Sequence, residues 1–222
     1  MPTTKRIVVL ANSVKHDPGR CIAGREVVQS STGRPQAGHW VRPVSTVGEG
    51  ELHQHHMRVT GGGAIGVLDI FDVSLASQAN DPSQPENWLI NAAVPWTRIG
   101  QWPLGQIVQL AEAPTDLWLQ PAVRSDRTTA DYIQAHPPQQ SLYLIVPTQA
   151  RLYRNERNRF RLSFSYGGTA YNLSVTDPQI QSRLAKDYGA RTDVTLTAPA
   201  VCVSLAPAFQ GCHYKLAATL IW

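Results

Sequence analysis

The chain has 222 residues, 42% of them hydrophobic, and a formal net charge of +4. That apolar content supports a packed core and excludes a wholly disordered chain, and the length suits one large domain or two small ones. The 16 glycines and 16 prolines are scattered without a period, which excludes collagen-like and solenoid architectures and favours strands and turns.

Ile7 to Ala11 is a continuous apolar run and a first strand. Two basic residues precede it, and its five apolar residues are too few for a signal-peptide core. No apolar run approaches a membrane span. Three cysteines, Cys21, Cys202 and Cys212, show no paired metal spacing. An odd count without a secretory signal points to reduced thiols, and the expectation is a cytoplasmic protein with no membrane partner.

The turn ANSVKHDPGR leads into CIAGREVV, read as a short strand broken by Gly24. Then comes HWVRPVS, which Pro43 confines to an edge or a strand end. Residues 46–63 are irregular, Val67 to Leu75 reads as a strand, and Trp88 to Ile90 as a short one. The stretch from Ala92 to Gln106, with Trp96 and Trp102, reads as packed but irregular, and Ile107 to Leu110 closes a first unit. A connector follows, helical from Ser125 through Ala135 and stopped by Pro137 and Pro138. Leu142 to Val146 opens a second unit.

The second unit states its structure most openly. From Arg159 the residues alternate, with Phe160, Leu162, Phe164 and Tyr166 on one face and Arg159, Arg161, Ser163 and Ser165 on the other. Gly167-Gly168 is a hairpin turn, and Tyr171, Leu173 and Val175 resume the alternation. A helix over 178–188 follows, with Asp177 as cap, Pro178 at its first position and Gly189 at its end. Ile180, Leu184 and Tyr188 form its buried stripe. Ala200 to Leu205 and Tyr214 to Ile221 are the last strands. The order strand, strand, strand, helix, strand, strand is that of the OB-fold, a five-stranded barrel.

The expected fold is therefore mainly β: two small OB-like five-stranded barrels over 1–112 and 141–222, with a helical or irregular connector over 113–140. A single barrel with an elaborate cap is the alternative. VVLANSVKHDPGRCIAG, HWVRPVS, QPENWLI and VCVSLAPAFQGCHYKLAATLI together resemble the bacterial dual OB-fold domain family. The matching positions are Asn12, Ser13, Lys15, Cys21, Gly24, Arg25, Trp40, Arg42, Pro43, Ser45, Ser204, Tyr214 and Lys215. The resemblance implies a nucleic-acid or nucleotide recognition module of bacterial defence or conflict systems, with a partner effector protein. It brings no catalytic chemistry and no cofactor.

Five arginines fall between Arg151 and Arg161, against one acid, Glu156. A single strand of nucleic acid needs cations for its backbone and aromatic faces for its bases. Arg151, Tyr153, Arg154, Arg157, Arg159 and Arg161 offer both. A charge run is equally the mark of a solvated strand edge. In the first half, Lys15, Arg25, Arg42 and Trp40 are the matching candidates, and Lys215 joins them at the start of the last strand. For Trp40 the competing reading is core; for Lys215 it is a strand-end lysine in water.

Two other readings stay open. His53, His55 and His56 could hold a divalent metal, or Cys21 with His16 or His39 could form a nucleophile and base, making a small phosphodiester hydrolase. No recognised metal spacing accompanies the histidines, and no catalytic residue is assigned. A protein-interaction adaptor is the third reading, resting on an exposed apolar patch around Trp96 and Trp102.

Overall fold

The computed structural model describes residues 2–14, 18–189 and 191–222. They are mainly β and fall into two compact units, one running to Asp81 with Pro85–Leu110, the other Pro82–Gln84 with Ala111–Trp222. Among the described residues no helix is long and apolar enough to cross a membrane.

The first unit holds β1 (Thr3–Val14), β2 (Arg20–Gln29), β3 (Pro35–Val44), β4 (Asp69–Gln78), β5 (Asn87–Ile90) and β6 (Thr97–Gln101). Its pairing order is β1-β2-β3-β5-β4, and β4 returns to β1 to close a ring. The β3–β5 pair is parallel and the others antiparallel. Strands hand over partners along their length. Thr3 to Val8 pair with β4, whereas Ile7 to Val14 pair with β2. On β3, Trp40 and Val41 face β2, and Arg42 to Val44 face β5.

Pro43 stands one residue from the end of β3, as expected: β2 has stopped pairing by then and only the β5 side remains. The reading of β2 is corrected. Gly24 does not break β2. It lies opposite Val9, where β1 is bulged, and a Cβ there would sit 2.2 Å from the Val8 carbonyl oxygen. Ile7, Val9, Ile22, Val41, Phe71, Val73 and Leu75 alternate inward to make the core. Trp96 completes it, with its ring edge-on to Phe71 at 5.7 Å between centroids. Trp96 and Trp102 are only 1% and 4% exposed. The apolar patch that motivated the adaptor reading is therefore interior, and the stretch read as irregular contains β6.

The second unit repeats the plan. Its elements are β7 (Arg127–Thr129), α1 (Ala130–Ala135), β8 (Leu142–Ile145), β9 (Thr148–Arg154), β10 (Phe160–Tyr166), β11 (Thr169–Val175), α2 (Ile180–Tyr188), β12 (Asp193–Thr195), β13 (Ala200–Phe209) and β14 (Cys212–Ile221). The path is β9-β10-β11-β14-β13-β8, again with one parallel pair, β11–β14. Here β8 and β9 together play the part of β1, interrupted at Val146-Pro147. The first piece pairs with β13 and the second with β10. Short β7 and β12 extend the sheet beside β14 and β9.

The sequence alternation is realised here: Leu162, Phe164, Tyr171 and Leu173 are core. Gly167 and Gly168 take φ of 55° and 77°, the signs that a tight hairpin of this hand requires. Ile180 and Leu184 of α2 plug the same core. Asp177 lies two residues before the N-cap rather than at it: its carboxylate accepts from the Gln179 amide at 2.9 Å, and Gln179 is the N-cap. It also accepts from Arg183 of the same helix.

Replacing Gly24 by Ala tests how tightly the first ring is drawn. The obstacle is backbone, so relief requires β1 to move. The variant should lose about 3 kcal/mol, the upper end of ordinary overpacking, as a lower urea midpoint.

Candidate nucleic-acid interface

Small barrels of this plan take ligands on the face of their second and third strands and on the loops joining strands one to two and four to five. In the second unit these are β10, β11, the loop 155–159 and the β13–β14 hairpin. The ladder sets Arg161 opposite Tyr153 and Ser174, and Ser163 opposite Arg151 and Asn172, so all six side chains share the outer face.

These groups are tied together. Arg151 donates through Nε to Asp193 at 2.8 Å and through Nη2 to its other carboxylate oxygen. That hydrogen bond, and the charge behind it, hold the Asp193 carboxyl below its ordinary value. The Arg151 guanidinium lies 5.3 Å from the centre of the Tyr153 ring. Asn172 donates to the Tyr153 hydroxyl at 2.7 Å and accepts from Arg161 Nε at 3.1 Å. Arg161 also donates to the Ser174 hydroxyl and the Asn172 carbonyl. Arg154 is on the other face. It pairs with Phe160 in the ladder, covers that ring at 3.9 Å and donates to Gln181 of α2 at 3.1 Å.

The loop is built differently. The Asn155 side chain accepts from the amides of Arg157 and Arg159 at 3.1 and 2.9 Å, and Asn158 takes a left-handed φ of 56°. The turn is thus fixed by its own backbone, while the Arg157 and Arg159 side chains project into solvent and form no ion pair among the described residues. At the neighbouring hairpin, Gln210 and Gly211 make a two-residue turn with φ of 50° and 77°. The turn holds Phe209 63% exposed. Sequence reading missed Phe209. The signal was present as F-Q-G between two strands, a hairpin tip that has no core to face.

Between these strands lies a cleft of about 260 Å³, lined by Asp126, Arg161, Ser174, Phe209, Tyr214, Lys215 and Leu216. Lys215 is not a strand-end lysine in water: it is 2% exposed. Its ammonium donates to the Ser125 carbonyl at 3.0 Å and lies 5.8 Å from the centre of the Tyr171 ring. Burial pushes it down from the ordinary 10.5 to about 8, with Asp116 and Asp126 pulling partly the other way.

The ring order, the parallel closing pair and the open face accord with a sequence match: the family model of the dual OB-containing domain covers residues 5–220. The chain belongs to that family. No curated protein matches it. Among solved structures, the dual OB domain is similar to the tetrameric p202 HIN2 structure at 8% identity. That likeness covers 97% of this chain and 88% of the other, with a TM-score of 0.30, too low to bear on function.

The first barrel of the dual OB domain treats its corresponding face differently. Arg25 stands opposite Trp40 across β2 and β3. It donates to the carbonyls of Gly38 at 2.9 Å, Leu110 at 3.1 Å and Ala37 at 3.3 Å. It thereby pins the end of a 3-10 helix, Leu104–Leu110, which packs on β3. Trp40 is 3% exposed, the core reading rather than a stacking platform. Arg42 is 5% exposed, its guanidinium 2.9 Å from Glu86, which is equally buried. Its backbone amide donates to the Glu86 carbonyl at 2.9 Å, so it clamps β3 to the chain entering β5. Trp40 and Arg42 are therefore interior, while Arg25 is half-buried and tied to three carbonyls. A second cleft, of about 420 Å³, borders Arg25, Arg34 and Trp102. Lys15 and His16 lie outside the described residues.

The histidine segment has a structural explanation. His56 Nδ1 accepts from the His53 amide at 3.0 Å, closing a 3-10 turn, Gln54–His56. The His56 carbonyl accepts from Trp96 Nε1 at 3.0 Å. Burial, then the neighbouring His55 and His53, lower the His56 imidazole. Among the described residues no group of three or more His, Cys, Asp or Glu side chains is arranged to hold a metal. Cys21 lies half-buried on β2, opposite Ser13.

Two consequences are measurable. Arg42→Ala leaves Glu86 buried without its counter-ion and should cost about 3–5 kcal/mol in urea unfolding. A change of Glu86 and Arg42 together to residues without charge should cost less than the single change, the sign of a coupled pair. The buried Lys215 gives the opposite dependence. Its folded value lies below its unfolded one, so the unfolded chain binds more protons between about pH 8 and 10.5, and stability rises with pH across that window. Lys215→Met should therefore gain up to about 3 kcal/mol on wild type near pH 7, and that gain should shrink towards pH 10.5. Urea midpoints of both proteins across this range check it.

Proposed function

We propose that the chain is a non-catalytic module that binds single-stranded nucleic acid on the β10–β11 face of its second barrel. The observation that carries the reading is the rigid loop 155–159. It presents Arg157 and Arg159 to solvent beside the Arg151, Tyr153 and Arg161 face and the exposed Phe209. A cationic rim tracks the phosphates, and exposed rings accept unstacked bases, which is how such barrels hold single strands. Because Asn155 already fixes the turn, little ordering entropy is lost when the arginines engage. Arg151 adds little attraction at a distance, since Asp193 neutralises it at short range.

Single strands fit better than duplex because an exposed ring at a hairpin tip stacks only on a base that has left its own stack. A free nucleotide is the second reading, favoured by the cleft beside Tyr214 and Lys215.

Fluorescence anisotropy with a labelled oligothymidylate of about twelve nucleotides tests the interface. With three to four phosphates contacted, log K should fall with log salt at a slope of about −2 to −3. Arg159→Glu should weaken binding several-fold for any sequence and flatten that slope by about 1. Lys186→Glu, the same charge change on the exposed side of α2, should leave binding nearly unchanged. Equal losses in both variants would reduce the interface to diffuse charge attraction. Absence of binding at low salt would remove the polymer reading and leave the nucleotide one.

A further inference from the structure

The cleft of the second barrel contains more than positive charge. Phe209, Tyr214 and Leu216 supply apolar and aromatic wall, while Asp126 faces into it together with Arg161 and Ser174. A carboxylate is out of place on a surface that only attracts phosphate. Its position is fixed: Oδ1 accepts from Arg127 Nε at 2.9 Å, Oδ2 accepts from Arg127 Nη2 at 3.1 Å, and Arg124 stands 3.4 Å from Oδ2. Burial opposes its charge, but Arg127, Arg124 and Arg161 hold the carboxyl below its ordinary value, so it stays an acceptor. Each carboxylate oxygen has two lone-pair directions, so acceptor capacity remains on both. Arg161 spends three of its N–H groups on Asn172 and Ser174. A guanidinium carries five, so two remain. Arg127 covers one side of the Tyr214 ring at 4.8 Å from its centre and fixes its tilt.

We propose, resting on the single-strand reading above, that this cleft is a pocket for one unstacked nucleobase and that it selects guanine. Its volume of about 260 Å³ lies below the roughly 300–1,000 Å³ of pockets for larger ligands, which suits a single base. The two polar groups then choose among bases. Guanine presents two adjacent N–H donors, on N1 and N2, to a carboxylate, and acceptors at O6 and N7 to a guanidinium. Adenine turns an acceptor at N1 where the carboxylate stands. Thymine and uracil offer one donor between two acceptors. Cytosine offers its donor on a single nitrogen, N4. Charge-assisted bonds of this kind are the strong ones, and a base that leaves the carboxylate unpaired pays its desolvation.

The test uses the full chain and oligothymidylates carrying one central substitution: guanine, adenine, cytosine or hypoxanthine, the last lacking only the N2 amine. The guanine oligonucleotide should bind about ten-fold tighter than oligothymidylate alone. Hypoxanthine should lose most of that gain. Asp126→Asn should abolish the preference for guanine over hypoxanthine. The hypoxanthine comparison uses the unaltered protein, so it stands even if the variant fails to fold. Equal binding of guanine and thymine, equal binding of guanine and hypoxanthine, or a preference for another base would overturn the pocket and leave the interface intact. If no oligonucleotide binds at low salt, interface and pocket fall together.

Discussion

A five-stranded ring closes only if its first strand hydrogen-bonds along both edges, to the second strand and to the fourth. Everything else in either unit depends on how that demand is met. In the first unit β1 meets it as one bulged strand, with β4 against its beginning and β2 against its end. The bulge brings β2 so close that the residue opposite Val9 has no room for a side chain, and Gly24 stands there. In the second unit the same strand is cut in two at Val146-Pro147. Proline cannot donate to a ladder, and a corner where the chain leaves one partner for the next is where that loss matters least. Once closed, each ring has a parallel pair between its third and fifth strands, and the chain must cross the barrel's end to make it. Helix α2 lies along that route in the second unit, and Ile180 and Leu184 fill the barrel mouth.

The parts legible in the sequence are those where one local signal decides the structure. Alternation in β10 and β11, two glycines at a hairpin and an amphipathic helix ended by Gly189 need no distant information. β9 was not legible, because only Ala150 and Leu152 face inward and the arginines around them read as a charge run. Trp40 and Arg42 show the opposite failure. Residue type fits binding, but whether a side chain meets ligand or protein depends on strands and helices far away in the sequence. The partner of Arg42 is Glu86, and that of Arg25 is the carbonyl of Leu110. Lys215 misleads for the same reason: alternation on β14 buries it between half-buried Tyr214 and Leu216, at the floor of the cleft.

The arginine cluster therefore divides by backbone context. On strands, where a side chain has fixed cross-strand neighbours, Arg151, Arg154 and Arg161 have found acceptors in Asp193, Gln181, Asn172 and Ser174. In the loop, where the backbone turns away from the sheet, Arg157 and Arg159 have no such neighbours. A charge in solvent pays no desolvation until a ligand arrives. A charge already hydrogen-bonded must exchange partners or share them. The strand arginines thus set geometry, holding Tyr153 and Asn172 in place, while the loop arginines keep their charge in solvent.

The two barrels share a ring and differ in what lies over its second and third strands. In the first, the chain's own 3-10 helix packs on β3, and Arg25 uses its guanidinium on three backbone carbonyls. A cation with that many internal acceptors has little left to give a phosphate, and moving it aside would leave those carbonyls short of a donor. In the second, the outer face of β10 and β11 carries an arginine whose hydrogen bonds, among the described residues, go to small polar side chains and one carbonyl. Duplication of a fold thus does not duplicate its site. One copy spends the arginine of its second strand on its own backbone, and the other carries charge, an exposed ring and a cleft together on its second and third strands and the adjoining hairpin.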